Sequence, residues 1–149
     1  MSGRITSKNV VGFIRNLADD DGLIKPERVV EAARPKTSPI HDQFEWDNSA
    51  AAEKYRLLQA SELIRVSVEI IDCGGNRDPV MVRAFTSLTT ERGVSGGYRA
   101  TVQVLSNKQM REQMLADAIA ELRAFERRYA ILKELAEVFA ASRKLRKTA

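Results

Sequence analysis

Apolar residues recur at helical spacing through the first part of the chain and predict a cluster of short helices. The first helix is expected within 5–23, where the polar run 19–22 supplies the turn formers that end it. Pro26 opens a second helix over 26–34, because the first position of a helix needs no backbone N–H donor. The pattern therefore predicts two short helices before the next proline.

Two further helices are predicted before the pattern changes. Ser38 is a suitable N-cap with Pro39 at the first helical position, and together they begin a short element over 38–46. The polar run 47–49 supplies another cap, and a longer helix is expected over 50–65. Helices are therefore expected throughout the N-terminal part, from residue 5 to residue 65.

The apolar spacing changes at residue 66 to the alternation that is typical of half-buried strands. A first strand is expected over 66–70, a second over 80–88 and a third over 98–105, separated by glycine-containing turns. Three consecutive strands with short connections predict an antiparallel meander over 66–105, and helices are expected to cover one of its faces.

The longest predicted element is an amphipathic helix over 106–143. Ser106 followed by Gln109 matches the capping box that begins many helices. Beyond it, apolar residues recur every seven positions in two series three residues apart, which is typical of a helix that pairs with another helix. This heptad seam consists of Leu115, Ala118, Leu122, Phe125, Tyr129, Leu132 and Phe139.

The length of this helix indicates self-association. A single helix over 106–143 would extend about 57 Å, which is more than a sheet of three short strands can cover. Part of the seam is therefore predicted to pair with a second chain, making the protein a homo-oligomer. The alternative is that the seam only packs on the chain's own sheet. In either case all the elements are assigned to one α+β domain over 1–149.

Positive charge is concentrated at the C-terminal end. Residues 1–100 contain 14 basic and 14 acidic side chains, whereas residues 101–149 contain 10 basic and 6 acidic ones and supply the whole net charge of +4. The basic tail over 144–149 and the residue before it contribute Arg143, Lys144, Arg146 and Lys147. These cations are candidate contacts to a phosphate backbone. The alternative is a solvated helix end whose cations complement the helix dipole.

The two short elements 26–34 and 38–46 have the outline of a helix-turn-helix. In that motif the second helix enters the DNA major groove. The candidate DNA-contacting residues of this segment are Arg34, Lys36, Ser38, His41 and Gln43. Asp42 and Glu45 on the second element and Asp47 directly after it would repel phosphates, and Phe44 and Trp46 are typical core residues. Two short helices packed for structural reasons are therefore the alternative.

Composition argues against several functional classes. No apolar run approaches the roughly 20 residues that span a bilayer, and no signal segment is recognisable, so we expect a cytoplasmic protein without a membrane partner. One cysteine, Cys73, and one histidine, His41, cannot by themselves build a disulfide or a zinc site. No nucleophile stands beside an activating base. We therefore expect neither a cofactor, nor a metal, nor catalysis.

One segment resembles a known group of proteins. It reads Ser38-Pro39-Ile40-His41, then Phe44-Glu45-Trp46-Asp47, then Ala51-Ala52, Tyr55-Arg56, Gln59-Ala60 and Leu63-Ile64-Arg65. This is similar to the SPLH-x-x-FEWD-x-x-x-AA-x-x-YR-x-x-QA-x-x-LIR pattern of small phage and prophage proteins of unassigned role. Ile40 replaces the usual Leu, and Asn48 replaces a common second Asp. The resemblance implies a viral or mobile-element origin and a bacterial host cytoplasm, but no activity or site residues.

Two functions remain as hypotheses. The first is a phage- or prophage-derived, non-enzymatic accessory protein that binds double-stranded DNA as a dimer or higher oligomer. The second is a protein-interaction module, either a virion assembly factor or an inhibitor of a host protein, whose interface is the long C-terminal helix.

Overall fold

The computed structural model describes residues 7–47, 50–92 and 96–148, apart from the side chains of Ala50 and of residues 146–148. In these ranges the chain forms six helices and two small antiparallel sheets of two strands each. The predicted mixture of helix and sheet is thus confirmed. The predicted three-stranded meander is wrong.

Three helices make up most of the N-terminal part: α1 (Lys8–Arg15), α2 (Pro26–Ala33) and α3 (Ala50–Val66). The first helix ends well before the predicted residue 23, because the chain turns at Asp19. The Asp19 carboxylate accepts hydrogen bonds from the backbone N–H groups of Asp21 and Leu23, at 3.0 and 2.9 Å. These bonds hold the pKa of Asp19 below its ordinary value, with the Leu23 bond contributing most.

The predicted second strand is interrupted in the middle. Strand β1 (Val68–Ile71) pairs with β2 (Val80–Arg83), and strand β3 (Phe85–Thr86) pairs with β4 (Arg99–Ala100). Ala84 lies between the two sheets, where the chain changes from one partner strand to the other. Its N–H donates to the Ser67 carbonyl at 2.9 Å, and its carbonyl accepts from the Thr101 N–H at 2.8 Å. One residue therefore divides the expected strand into two.

The predicted third strand is mostly helical. Arg99 and Ala100 form β4 and Tyr98 bridges to Ile24, whereas Thr101–Ser106 forms the short helix α4. Thr101 and Val104 are buried three positions apart, whereas Val102 is exposed. Burial of every third residue is a helical arrangement, although the apolar positions of the same segment also fit an alternating pattern.

The predicted long helix is a helical hairpin. Helix α5 (Lys108–Tyr129) is followed by the turn 130–135 and by helix α6 (Ala136–Thr148), which packs back against α5. The cap differs from the prediction by one residue. The Asn107 side-chain oxygen accepts the Met110 N–H at 3.0 Å, while Ser106 still belongs to α4.

The hydrophobic core lies among the first three helices and the start of β3. It is formed by side chains that are almost completely inaccessible to solvent, among them Ile14, Ile24, Val29, Val30, Ile40, Ile64 and Phe85. The hairpin adds only two buried apolar residues, Ile119 and Phe139. It thus contributes little to this core. None of the helices in the described ranges is both long and apolar enough to cross a bilayer.

Candidate interaction surface

The segment predicted as a recognition helix contains no α-helix. Within 38–46 the structure has a single turn of 3-10 helix over His41–Gln43, and Phe44 is already extended. The first helix of the outlined motif exists as α2. A helix-turn-helix is therefore not formed at this position, because its second helix is replaced by one short turn.

His41 takes part in packing through both its ring and its carbonyl. Its Nδ1 lies 2.9 Å from the Ala33 carbonyl, and its ring stacks on Trp46 with centroids 5.0 Å apart. The Trp46 indole N–H donates to the His41 carbonyl at 3.0 Å. These contacts join the end of α2 to the turn. Packing for structural reasons, the alternative to a helix-turn-helix, therefore explains the positions of His41 and Trp46.

Arg56 holds the same segment from the side of α3. Its guanidinium is 5% exposed and donates to the backbone carbonyls of Glu45 and Asp47 at 3.1 and 2.8 Å. It also pairs with the Glu53 carboxylate at 2.7 Å and lies 5.4 Å from the Trp46 ring centroid. A buried arginine that satisfies two carbonyls fixes the chain entering α3. Arg56 of the resemblance pattern therefore has a structural role here.

The other candidate DNA-contacting residues of this segment differ in their exposure and in their ion pairs. Arg34 bonds to Glu31 at 2.9 Å and to Glu53 at 3.2 Å. Hydrogen bonding to Glu31 and the charges of both carboxylates raise the pKa of Arg34 above its ordinary value. Its charge is thus already matched by acids. Lys36 is exposed, whereas Ser38 and Gln43 are half-buried. Among these candidates, Lys36 is therefore the exposed cation that makes no such pair with an acid in the described part of the structure.

The hairpin exposes most of the predicted heptad seam. Leu115, Leu122, Phe125 and Leu132 expose 51%, 38%, 43% and 44% of their surface. Ala118 is exposed as well, Tyr129 is half-buried and Phe139 is buried. We call the exposed set Leu115, Ala118, Leu122, Phe125 and Leu132 the hairpin face. Large apolar side chains seldom occur exposed in such a row on a chain that has no partner.

Two contacts hold the arms of the hairpin together. Phe125 of α5 meets Phe139 of α6 edge to face, with ring centroids 6.2 Å apart. Near them, Arg143 Nε donates to the Glu126 carboxylate at 2.8 Å. Part of the heptad seam is thus covered by α6 of the same chain. Neither prediction from the sequence, pairing with a second chain or packing on the chain's own sheet, includes this contact.

Residues 144–148 of the predicted basic tail are the last residues of α6, so this part of the tail is helical. Arg143 pairs with Glu126, and Lys144 is exposed. Arg146 and Lys147 belong to α6, but their side chains lie outside the described part of the structure. Of the four predicted cations of this region, Arg143 and Lys144 are exposed in the described part of the structure, and Arg143 is already paired with an acid.

A cleft of about 910 Å³ separates the two sheets from α5 and has no counterpart in the sequence predictions. Arg65, Arg83 and Arg92 line one part of it, and Asp117 and Glu121 of α5 line another. Phe85, Tyr98, Leu105 and Met114 supply apolar walls. The cleft brings together residues that are far apart in the chain. No short sequence motif could have indicated it.

Asp117 connects α5 to the rest of the protein at this cleft. Its carboxylate accepts from the Thr89 N–H at 2.9 Å, from the Thr89 hydroxyl at 2.6 Å and from Gln113 at 2.8 Å. Partial burial acts to raise the pKa of Asp117. The bonds from Thr89 and Gln113 and the nearby Arg92 outweigh this effect and hold the pKa below its ordinary value. Asp117 is therefore ionised and anchors the helix.

The residues with metal or nucleophilic chemistry are dispersed. In the ranges that the structure describes, no group of three or more His, Cys, Asp or Glu side chains is placed to hold a metal ion. Cys73 is a half-buried free thiol at the end of β1, and His41 is engaged with Ala33 and Trp46. The hairpin face is thus the most extensive feature left to explain. No protein-family model, curated protein or solved structure matches the chain.

Proposed function

We propose that the protein is a non-enzymatic interaction protein that acts as a homo-oligomer assembled through the hairpin face. The observation that carries this proposal is the exposure of Leu115, Leu122 and Phe125 along α5 and of Leu132 in the turn that follows it. The resemblance to phage and prophage proteins supports a mobile-element origin and is compatible with a role in assembly.

The hydrophobic effect is the reason to expect a partner at this face. Burying a leucine or phenylalanine side chain is worth about 1.5–3 kcal/mol, and half-exposed residues leave much of that free energy unused. Several such residues side by side form the apolar centre that stable interfaces have. The exposed Ile70, Val80 and Met81 of the β1–β2 hairpin form a smaller apolar group, which lacks the heptad repeat of the hairpin face.

A second copy of the same chain is the occupant that the pattern favours. Apolar positions in two heptad series match the spacing of a helix with the same repeat, which every copy of this chain supplies. Closed pairs related by a two-fold axis are also the commonest assemblies of soluble proteins. Two copies of the chain therefore supply both of the surfaces that such a pairing needs.

The mass of the protein in solution tests this proposal. We expect the native chain to sediment as a dimer or larger species and the double variant Leu122→Glu, Leu132→Glu to sediment as a monomer. The matched control is Ala116→Glu with Ala120→Glu, which adds the same charge to exposed positions elsewhere on α5. A native chain that stays monomeric at high concentration would contradict the proposal, as would a double variant with unchanged mass.

Binding of double-stranded DNA is a second candidate function, and the observation in its favour is the basic excess on α6 with an exposed Lys144. Dimerisation would bring two such helices into one particle. In a gel-shift series, we expect Lys144→Glu with Lys147→Glu to weaken binding and to lower the salt dependence by about 0.9 per lost phosphate contact. The control is Lys54→Glu on α3. Absence of binding by the native chain even at low salt would refute this function.

A further inference from the structure

The turn between α5 and α6 lacks the residues that usually reverse a helix. Residues 130–135 read Ala-Ile-Leu-Lys-Glu-Leu, without glycine, proline, asparagine or aspartate. All six are compatible with a continuous helix, and alanine, leucine, lysine and glutamate strongly favour one. By contrast, the chain reverses after α1 with an aspartate and with Gly22 at φ 80°. The reversal at 130–135 is therefore not specified by local turn chemistry.

One residue accounts for most of the reversal. Ala130 and Ala136 have helical backbone angles, whereas Leu132 is extended at φ −83° and ψ 103°. Its N–H still bonds to the Tyr129 carbonyl at 2.9 Å. Ile131 beside it is 87% exposed, the most exposed of the large apolar residues described. Return of Leu132 to helical ψ, together with conversion of the 3-10 turn Lys133–Leu135 to α-helix, would join α5 and α6 into one helix.

The heptad series continue through the turn without a change of phase. Tyr129 and Ala136 are seven positions apart, and so are Leu132 and Phe139. A hairpin that had evolved only as a hairpin would not require this continuity, since its two arms pack independently of the phase between them. The continuity is the property that a single straight helix needs in order to keep one apolar seam.

We propose that α5 and α6 join into one continuous helix and that two copies of the chain exchange their α6 segments about a two-fold axis at Leu132. This inference rests on the proposed self-association and specifies its geometry. Phe125 and Phe139 are each seven residues from Leu132, so an antiparallel pair centred there rebuilds the Phe125–Phe139 contact between the two copies. Exchange of an identical element is a low-cost route to a dimer, because contacts of the monomer are reused.

The exchange also adds contacts that the hairpin cannot make. Leu132 meets its own symmetry mate at the axis, where two leucines are buried that are each exposed in the hairpin. The continuous apolar seam and this added leucine contact are the reasons why the partner of α5 in the dimer is α6 of a second copy.

Cross-linking distinguishes exchanged arms from arms that stay within one chain. The test uses the full chain with Cys73→Ser, to remove its only cysteine, and with Glu126→Cys and Arg143→Cys on the two arms that face each other. A flexible bismaleimide joins these thiols, and denaturing electrophoresis separates the products. We expect a covalent dimer as the main product, and little of it from either single-cysteine variant.

Three results have different meanings. A dimer in solution that yields cross-linked monomers overturns the exchange and leaves self-association standing. A monomer in solution overturns both. Leu132→Pro gives a second check, because proline breaks a continuous helix, whereas in the hairpin its φ is close to that of Leu132 and it removes one bond, from the Leu132 N–H to the Tyr129 carbonyl. We expect this variant to be monomeric with its helix content retained. A helical Leu132→Pro dimer would contradict the exchange.

Discussion

Gly97 lies where any side chain would collide with the loop that follows α1. A Cβ built on it would be 2.9 Å from Leu23 Cδ2 and 3.3 Å from Leu23 Cβ. The adjacent backbone is held by paired bonds between Ile24 and Tyr98, at 2.7 and 2.9 Å, so it cannot easily move away. The glycine is thus required by close packing, since its φ is not in the left-handed region.

Two glycine-to-alanine substitutions are predicted to have opposite effects. Gly97→Ala should lower the free energy of unfolding by about 1–3 kcal/mol, the usual cost of overpacking. Gly12→Ala is the control, because a Cβ there has nothing within 4 Å and the position lies inside α1. It should raise the stability by about 0.5–1 kcal/mol. Equilibrium urea unfolding measures both, and a shift in the same direction would contradict the packing argument.

At the scale of single residues, the sequence indicated which positions are structural but not what they touch. Phe44 and Trp46 were expected to be core anchors, and the structure shows Phe44 buried and Trp46 packed against it. The partners of Arg56 were not predictable in the same way. It binds two backbone carbonyls that become neighbours only after the chain turns at His41.

At the scale of elements, α5 is attached to the turn Thr89–Glu91 through Asp117. The lowered pKa of this carboxylate means that its ionised form is favoured by the fold. A group of this kind stabilises the protein above its ordinary pKa of 3.8, and the contribution is lost as the pH falls through the lowered value. The attachment of α5 is therefore sensitive to acid.

Asp117→Asn is predicted to reduce stability in a pH-dependent manner. At neutral pH the free energy of unfolding should fall by about 1 kcal/mol, because charged hydrogen bonds from Thr89 are replaced by weaker ones. The difference from the native protein should shrink below pH 3.8 as the native carboxylate is protonated. Asp78→Asn, on the exposed β1–β2 loop, is the control. A difference that does not change with pH would argue against the ionised anchor.

At the scale of the whole molecule, self-association links stability to concentration. A partner that binds only the folded chain stabilises it by mass action, so the melting temperature of an oligomer rises with protein concentration. The core around α1, α2 and α3 should not show this dependence by itself, since its packing is complete within one chain.

We expect the melting temperature to rise by roughly 2 °C for each tenfold increase in chain concentration. Leu122→Glu with Leu132→Glu should abolish this dependence while leaving far-ultraviolet circular dichroism unchanged. Scanning calorimetry over a hundredfold range of concentration measures the effect, and Ala116→Glu with Ala120→Glu is again the control. A melting temperature independent of concentration in the native chain would indicate a monomer.

Local pattern by itself determined the type of most elements. Helices α2 and α3, the strands β1 and β2 and the helical character of 108–129 follow from apolar spacing, since a side chain's face depends on the local period. The apolar seam was also predictable residue by residue, because its heptad spacing is a property of the sequence. DNA binding and the phage origin remain predictions.

Tertiary contacts alone decided where these elements break. Ala84 leaves the strand because its N–H and carbonyl bond to Ser67 and Thr101, and residues 101–106 coil into a helix that buries Val104. Leu132 leaves the helix although its neighbours favour helix, because α6 gains the Phe139 and Arg143 contacts on α5. Contacts between distant residues are worth more than a local preference of a few tenths of a kcal/mol. For that reason the sequence indicates one long helix, and the fold of a single chain makes it a hairpin.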